Sequence, residues 1–227
     1  MPLPSLNSES RLLVFAPHPD DESLACGILL QHAVAARAAT HVVYLTDGEN
    51  NPWPQRCLSG RWRLNASDRH KWAKLRRQEA IAALGVLGIS AEDVRFLGWP
   101  DQGLQRRLKS EPALTLARLR YLVREFSATD IVGPDISDRH RDHSAVGTML
   151  DKLLSAGHPE VRAICRWSYV VHGPRRHFLD NAQALPQTAS QREAKRRAIG
   201  CHQTQLILSR RRFLAYAARP ELLRAVS

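Results

Sequence analysis

Short apolar runs alternate along the chain with longer segments whose apolar positions recur in helical rhythm. Residues 11–16, built on Leu12-Leu13-Val14, lack any polar alternation, and this predicts a strand buried on both faces, as in a parallel sheet. A helix is predicted over 23–38 from the spacing of Leu24, Ile28, Leu29 and Val34, and a second buried strand over 40–46. Strand, helix and strand make a βαβ unit with a right-handed crossover. Further strands are predicted at 94–97, 130–134 and 164–171, the last running into His172-Gly-Pro174. Helices are predicted over 70–84, with Asp68 as cap, over 113–126 and over 191–201. The last 20 or so residues give only an amphipathic closing element. The alternation predicts an α/β class: one domain, a Rossmann-like three-layer sandwich with a mostly parallel sheet and a core over about 11–205.

Residues 48–67 carry neither period, which marks a functional or mobile insertion. Its Trp53 and Trp62, interleaved with Arg56, Arg61 and Arg63, suit a lid that stacks on a sugar and grips an anion. Arg76 and Glu79 stand three apart on the helix that follows, the spacing of a solvated surface bridge.

Charge adds a second property. Thirty-three Lys and Arg against 22 Asp and Glu leave a net +11, so the surface attracts polyanions such as an anionic membrane or an acidic glycan. Nucleic acid is disfavoured: aromatic residues are 6%, and the basic residues are scattered over Arg61-Trp-Arg63, Arg106-Arg107, Arg175-Arg176, 192–197 and Arg210-Arg-Arg212. Cys26, Cys57, Cys165 and Cys201 form no Cys-x-x-Cys pair, which argues against a zinc ribbon and for free thiols. The longest apolar stretch is interrupted by Gln31, His32 and Arg37, too polar for a span, and residues 1–10 have no basic or apolar targeting pattern. The expectation is a cytoplasmic protein, with attachment to the inner face of a membrane as the alternative; the oligomeric state is left open.

Candidate chemistry lies where strands end. Phe15-Ala-Pro-His-Pro-Asp-Asp-Glu22 follows the first strand, and prolines on both sides of His18 stiffen that turn. Asp135-Ile-Ser-Asp-Arg-His-Arg-Asp-His143 follows the fourth. His18-x-x-Asp21 and His140-x-x-His143 together offer imidazoles and a carboxylate to one metal, with a further carboxylate and imidazole beside it. The competing reading is a capping cluster at helix N-termini with incidental histidines. His172, at another strand end, is a further candidate for reaching a substrate.

The Ala16-Pro-His-Pro-Asp-Asp-Glu22 stretch resembles the signature of the PIG-L/LmbE-like deacetylases, zinc hydrolases that remove acetyl groups from N-acetylglucosamine-type substrates. Thr46-Asp-Gly-Glu49, Arg76-x-x-Glu79 ahead of Ala82-Ala-Leu-Gly85, Leu97-Gly-Trp-Pro-Asp101 and His140-Arg-Asp-His143 follow in the family's order. Residues 195–205 are similar to a C-terminal family helix with a lysine and a histidine ahead of a glutamine. Two features depart: the loop after Asp47, and Asp138-Arg139 where a family tyrosine would precede His140.

The resemblance implies His18, Asp21 and His143 as metal ligands, Asp20 as general base, and His140 as general acid or oxyanion partner, oriented and kept protonated by Asp142. Zn2+ is the implied cofactor, with Fe2+ or another divalent transition metal as alternatives. Arg76 and Asp101, on matching motifs, join Trp53, Trp62 and His172 as candidate substrate contacts. The implied activity is removal of an acetyl group from an N-acetylated amino sugar in a glycan precursor, glycolipid or sugar-containing metabolite. The alternatives are a two-histidine-one-carboxylate iron enzyme, to which Asp20 is surplus, and a non-catalytic polyanion- or nucleotide-binding module, for which no glycine-rich phosphate fingerprint follows the first strand.

Overall fold

The computed structural model describes residues 3–158, 161, 163–173 and 176–226; Pro174 and Arg175, named above, lie outside them. The described strands are β1 (Arg11–Ala16), β2 (Ala39–Thr46), β3 (Val94–Trp99), β4 (Asp130–Pro134), β5 (Cys165–Tyr169), β6 (Ala182–Ala184) and β7 (Leu222–Val226). They form one sheet in the order β3-β2-β1-β4-β5-β7-β6. The first five run parallel, while β7 is antiparallel to both β5 and β6. Along β1, Leu12, Val14 and Ala16 enter one core and Leu13 and Phe15 the other, which is why the strand reads as an unbroken apolar run.

The helices divide between the faces accordingly. On the first face lie α1 (Asp21–Ala25), α2 (Gly27–Ala35), α4 (Ala66–Val86), α9 (Ala189–Cys201) and α10 (Gln203–Ala218), with the short α8 (Arg176–Leu179) just ahead of β6. On the second lie α5 (Leu104–Ser110), α6 (Pro112–Phe126) and α7 (Arg141–Ser155). The chain therefore leaves adjacent β1 and β4 towards opposite faces, and the crevice between their carboxyl ends is the topological switch point where α/β sheets bind ligands. At Gly147 an added Cβ would lie 2.8 Å from the Ile136 nitrogen and 2.9 Å from the Pro134 oxygen. This close approach seats α7 on the end of β4 and brings its first turn into the crevice.

Several elements differ from expectation. The helix predicted over 23–38 breaks at Cys26 into α1 and α2. Residues 48–67 are not aperiodic coil: α3 (Pro52–Ser59) starts on two prolines, which suit the first turn of a helix because its amides need no intrahelical acceptor. The cap of α4 is Asn65 rather than Asp68; Asn65 Oδ1 accepts from the Asp68 amide at 3.0 Å and Asp68 Oδ2 from the Asn65 amide at 3.1 Å, a reciprocal capping box. The core does not stop near residue 205. Tyr216, Ala217 and Leu223 are buried in it, and Glu221, 3% exposed, accepts the amides of Ile28 and Leu29 at 2.8–3.1 Å and the Lys195 ammonium at 2.6 Å. Among the described residues no helix is long and apolar enough to cross a membrane.

Candidate metal centre and active site

Asp21 is the meeting point. Its Oδ2 accepts the His18 amide at 2.9 Å and lies 3.3 Å from His18 Nδ1 and 3.2 Å from His143 Nε2. Ligand atoms ~2.0–2.1 Å from one tetrahedral ion are separated by about 3.3 Å, so each of these two spacings is compatible with Asp21 sharing an ion with that histidine. His143 is fully buried, and its Nε2 has no hydrogen-bond partner despite that proximity. A buried ring nitrogen left without a hydrogen-bond partner beside a carboxylate is one that an ion between the two would satisfy.

Each histidine has carboxylates behind it. His143 Nδ1 faces Asp138 Oδ2 at 3.2 Å, which leaves Nε2 as the ring nitrogen that would hold an ion. His18 Nε2 faces Asp101 Oδ1 at 3.2 Å and Asp142 Oδ2 at 3.4 Å. Asp20, Asp21, Asp101, Asp138 and Asp142 are all buried, a concentration of negative charge that a divalent ion would offset. The donor set therefore fits Zn2+ or a similar borderline ion. His172 also converges here: ligand atoms of Asp21, His143 and His172 lie within 4.8 Å of one another, as do those of His18, His140 and His143.

Burial pushes the Asp21 carboxyl up, but His143 and His18 outweigh it and hold the group well below the usual carboxylate range. Burial lowers the His143 imidazole, yet Asp21 and Asp138 carry it up to about 9, and Asp101, Asp142 and Asp21 raise His18 likewise. Asp101, despite burial, is held at about 2 by His18. Asp20 behaves differently: burial raises its carboxyl to about 6, opposed by Arg76 and reinforced by Asp21. The carboxyl therefore titrates closer to neutrality than an ordinary aspartate.

Arg76 is buried and holds Asp20 Oδ2 at 3.0 Å, with further bonds to the carbonyls of Pro19 at 2.8 Å and Gly48 at 3.0 Å. Gly48, at φ +63°, leaves room for it, since a Cβ there would sit inside the guanidinium. The expected solvated bridge between Arg76 and Glu79 does not form. Glu79 is buried and accepts the Thr204 amide at 2.9 Å and its hydroxyl at 2.5 Å.

Asp142 corrects another expectation. Its oxygens accept the amides of Gln102 at 2.7 Å and Leu104 at 3.1 Å, and its carboxylate faces His18 rather than His140. His140 instead meets the backbone: its Nδ1 accepts from the Asp142 amide at 3.3 Å, which makes Nε2 the N–H of the neutral ring. Burial, then the charges of His18 and His143, lower its pKa. His172 is pushed down to about 4 by burial and by His143. Neither ring is held as an imidazolium.

A cleft of about 390 Å³ opens over the cluster, lined by His18, Asp20, Asp21, Arg76, Asp101, His140 and His172 together with Asn51, Trp53, Gln205, Leu208 and Phe213. Trp62 is not among its lining residues; it lies 6.1 Å from Trp53, edge to face, with the Arg56 guanidinium over both rings. Sequence reasoning missed Asp138, which also accepts the amides of Val171 and His172; Glu22, read from the sequence as a structural acceptor rather than a catalyst, is buried 3.0 Å from His202, a pairing the sequence did not show. Asp138 stands in the Asp138-Arg139 pair that replaces a family tyrosine ahead of His140. Its position two residues before His140 was the available signal.

The model of the PIG-L family, described as GlcNAc-PI de-N-acetylase, matches residues 13–154, which hold both strand-end motifs. The chain belongs to this family. It is 33% identical over 153 residues to a 1D-myo-inositol 2-acetamido-2-deoxy-alpha-D-glucopyranoside deacetylase of Mycobacterium tuberculosis, a match covering 61% of this chain and 48% of the relative. The chain thus spans about half the length of the curated relatives it matches. Among solved structures, N,N'-diacetylchitobiose deacetylase from Pyrococcus horikoshii superposes with a TM-score of 0.70 at 18% identity, covering 95% of this chain and 83% of that one. GalB, the 4-carboxy-2-hydroxymuconate hydratase of Pseudomonas putida KT2440, superposes with a TM-score of 0.68 at 22% identity, covering 93% and 83%. A deacetylase and a hydratase on the same PIG-L fold mean that the fold alone does not choose the reaction.

Proposed function

We propose that the chain is a metal-dependent hydrolase that removes the acetyl group from an N-acetylated amino sugar. The observation that carries this is Asp21 Oδ2 placed 3.3 and 3.2 Å from the nitrogens of His18 and His143, with the Asp20 carboxyl, raised to about 6, beside them. His18, Asp21 and His143 would hold the ion. When bound, a divalent ion such as Zn2+ supplies Lewis-acid polarisation of the amide carbonyl and makes water acidic enough to attack near neutral pH. Asp20 takes the proton of the attacking water, and Arg76 keeps its carboxylate aimed by fixing Oδ2 and the preceding carbonyl. His140 presents Nε2–H as a neutral donor to the carbonyl oxygen as charge develops there. The proton gathered on Asp20 then passes to the departing amine, so one carboxyl group serves as base and then acid.

In this reading Arg76 holds Asp20, and Arg76, Asp101, Trp53 and His172 are all candidate substrate contacts because they line the cleft. The test is metal analysis of protein purified without added metal, together with acetate release from N-acetylglucosamine derivatives. About one equivalent of divalent metal per chain and metal-dependent acetate release are expected. Tight metal without acetate release from any acetamido sugar would leave the centre standing and overturn the substrate reading.

A further inference from the structure

We propose that the surface beside the cleft formed by α3, the segment joining it to α4, the first half of α4, and α10 docks on an anionic lipid bilayer. Among the described residues five of the eleven exposed large apolar side chains lie here: Trp53 and Leu58 on α3, Trp62 between α3 and α4, Leu75 midway along α4, and Leu208 on α10. Trp62 is 72% exposed and Leu58 60%. Single exposed apolar residues are ordinary on a protein surface; a cluster that includes two tryptophans is not. Leu58, Leu64 and Leu75 also line an apolar groove of about 220 Å³ between α3 and α4.

Charge complementarity names the partner. Residues 51–75 contain six Lys and Arg against the single acid Asp68, which Arg61 already holds at 3.1 Å, and residues 203–219 contain four Arg and no acid. Arg210, Arg211 and Arg212 follow Leu208 and are exposed. Basic residues gain from a negatively charged leaflet, tryptophan settles at the headgroup level, and leucine gains by leaving water for the acyl boundary. A nucleic acid or acidic glycan would satisfy the arginines and leave the leucines in water. Arg56, seated over the rings of Trp53 and Trp62, joins the cationic and apolar parts into one surface. Because Trp53 and Leu208 also line the cleft, docking would open the metal cluster towards the lipid surface.

The test is co-sedimentation of the full chain with vesicles of phosphatidylcholine, alone or with roughly one third phosphatidylglycerol, a binding measurement that needs no turnover and so stands apart from the deacetylase reading. Binding only to the anionic vesicles, with a blue shift of tryptophan emission, is expected. Each charge removed should weaken partitioning about five-fold, so Arg63→Gln with Arg211→Gln costs about 25-fold. Leu58→Ser with Leu75→Ser should also weaken binding while far-ultraviolet circular dichroism stays unchanged. No binding to anionic vesicles, equal binding to neutral ones, or leucine variants that bind as wild type would overturn the proposal. Wild-type affinity for heparin that exceeds vesicle affinity and ignores the leucine changes would assign the surface to a soluble polyanion instead.

Discussion

Replacing Asp142 by Asn separates two accounts of the site. If Asp142 held His140 as an imidazolium, the amide would move the alkaline limb of the pH profile and spare the metal. The structure puts its carboxylate 3.4 Å from His18 Nε2 and 2.7 and 3.1 Å from two backbone amides that donate to different oxygens. Asn has one oxygen, so its NH2 must face either the Gln102 or the Leu104 amide, donor against donor. Leaving that buried donor unsatisfied costs about 1–3 kcal/mol of stability. His18 meanwhile loses one of the two carboxylates behind it, and removal of such a support typically weakens metal binding about 10–100-fold. Near 25 °C that is about 1.4–2.8 kcal/mol. The assay is zinc affinity by competition with a colorimetric chelator on metal-stripped protein, with thermal unfolding followed alongside. His140→Ala serves as comparison and should keep its metal. An Asp142→Asn protein with unchanged zinc affinity and a displaced alkaline limb would refute the reasoning and return Asp142 to His140.

Asp20→Asn should keep its metal and lose roughly 10²–10⁴-fold in turnover, the scale of a missing general base; a kcat within a few-fold of wild type would move the proton to another group. Arg76→Met removes the positive charge that opposes the rise of Asp20, so the Asp20 carboxyl should titrate above about 6 and the acidic limb of kcat/KM should move to higher pH, because the base works only when ionised. An acidic limb that stays put or moves down would contradict the pairing. Lys195→Met strands the buried Glu221 carboxylate with only two amides, and urea unfolding should show a loss of about 3–5 kcal/mol. A loss below about 1 kcal/mol would mean that the amides alone satisfy Glu221.

The parallel half of the fold was legible because burial on both faces leaves an unmistakable run: β1 and β4 stand where the apolar pattern put them. The break at Cys26 was not, since a buried turn between α1 and α2 is as apolar as the helices it joins. Helix α3 was hidden by its prolines and lack of apolar period, and β7 by being short and paired with strands distant in sequence. At the site, residue types and spacing gave the cluster of His18, Asp21, His140 and His143, because a strand-end position and ligand chemistry are both local. Which carboxylate supports which histidine was not local. Asp142 is fixed by amides 40 and 38 residues away, and Asp138 reaches across to the amides after β5.

Glu221 also sets a timetable for the nascent chain. The amides of Ile28 and Leu29 are made 193 and 192 residues before the carboxylate that accepts them, a delay of about 10–40 s at ordinary rates of translation. Until then the first βαβ unit waits with the start of α2 uncapped, and β5 is a bare edge, because the strand that covers it is the last of the sheet to be synthesised. An uncovered parallel edge recruits other strands, including those of neighbouring copies. Chaperone demand during expression should therefore concentrate in the interval between β5 and β7. A cut between α10 and Glu221 would return a finished molecule to that exposed state.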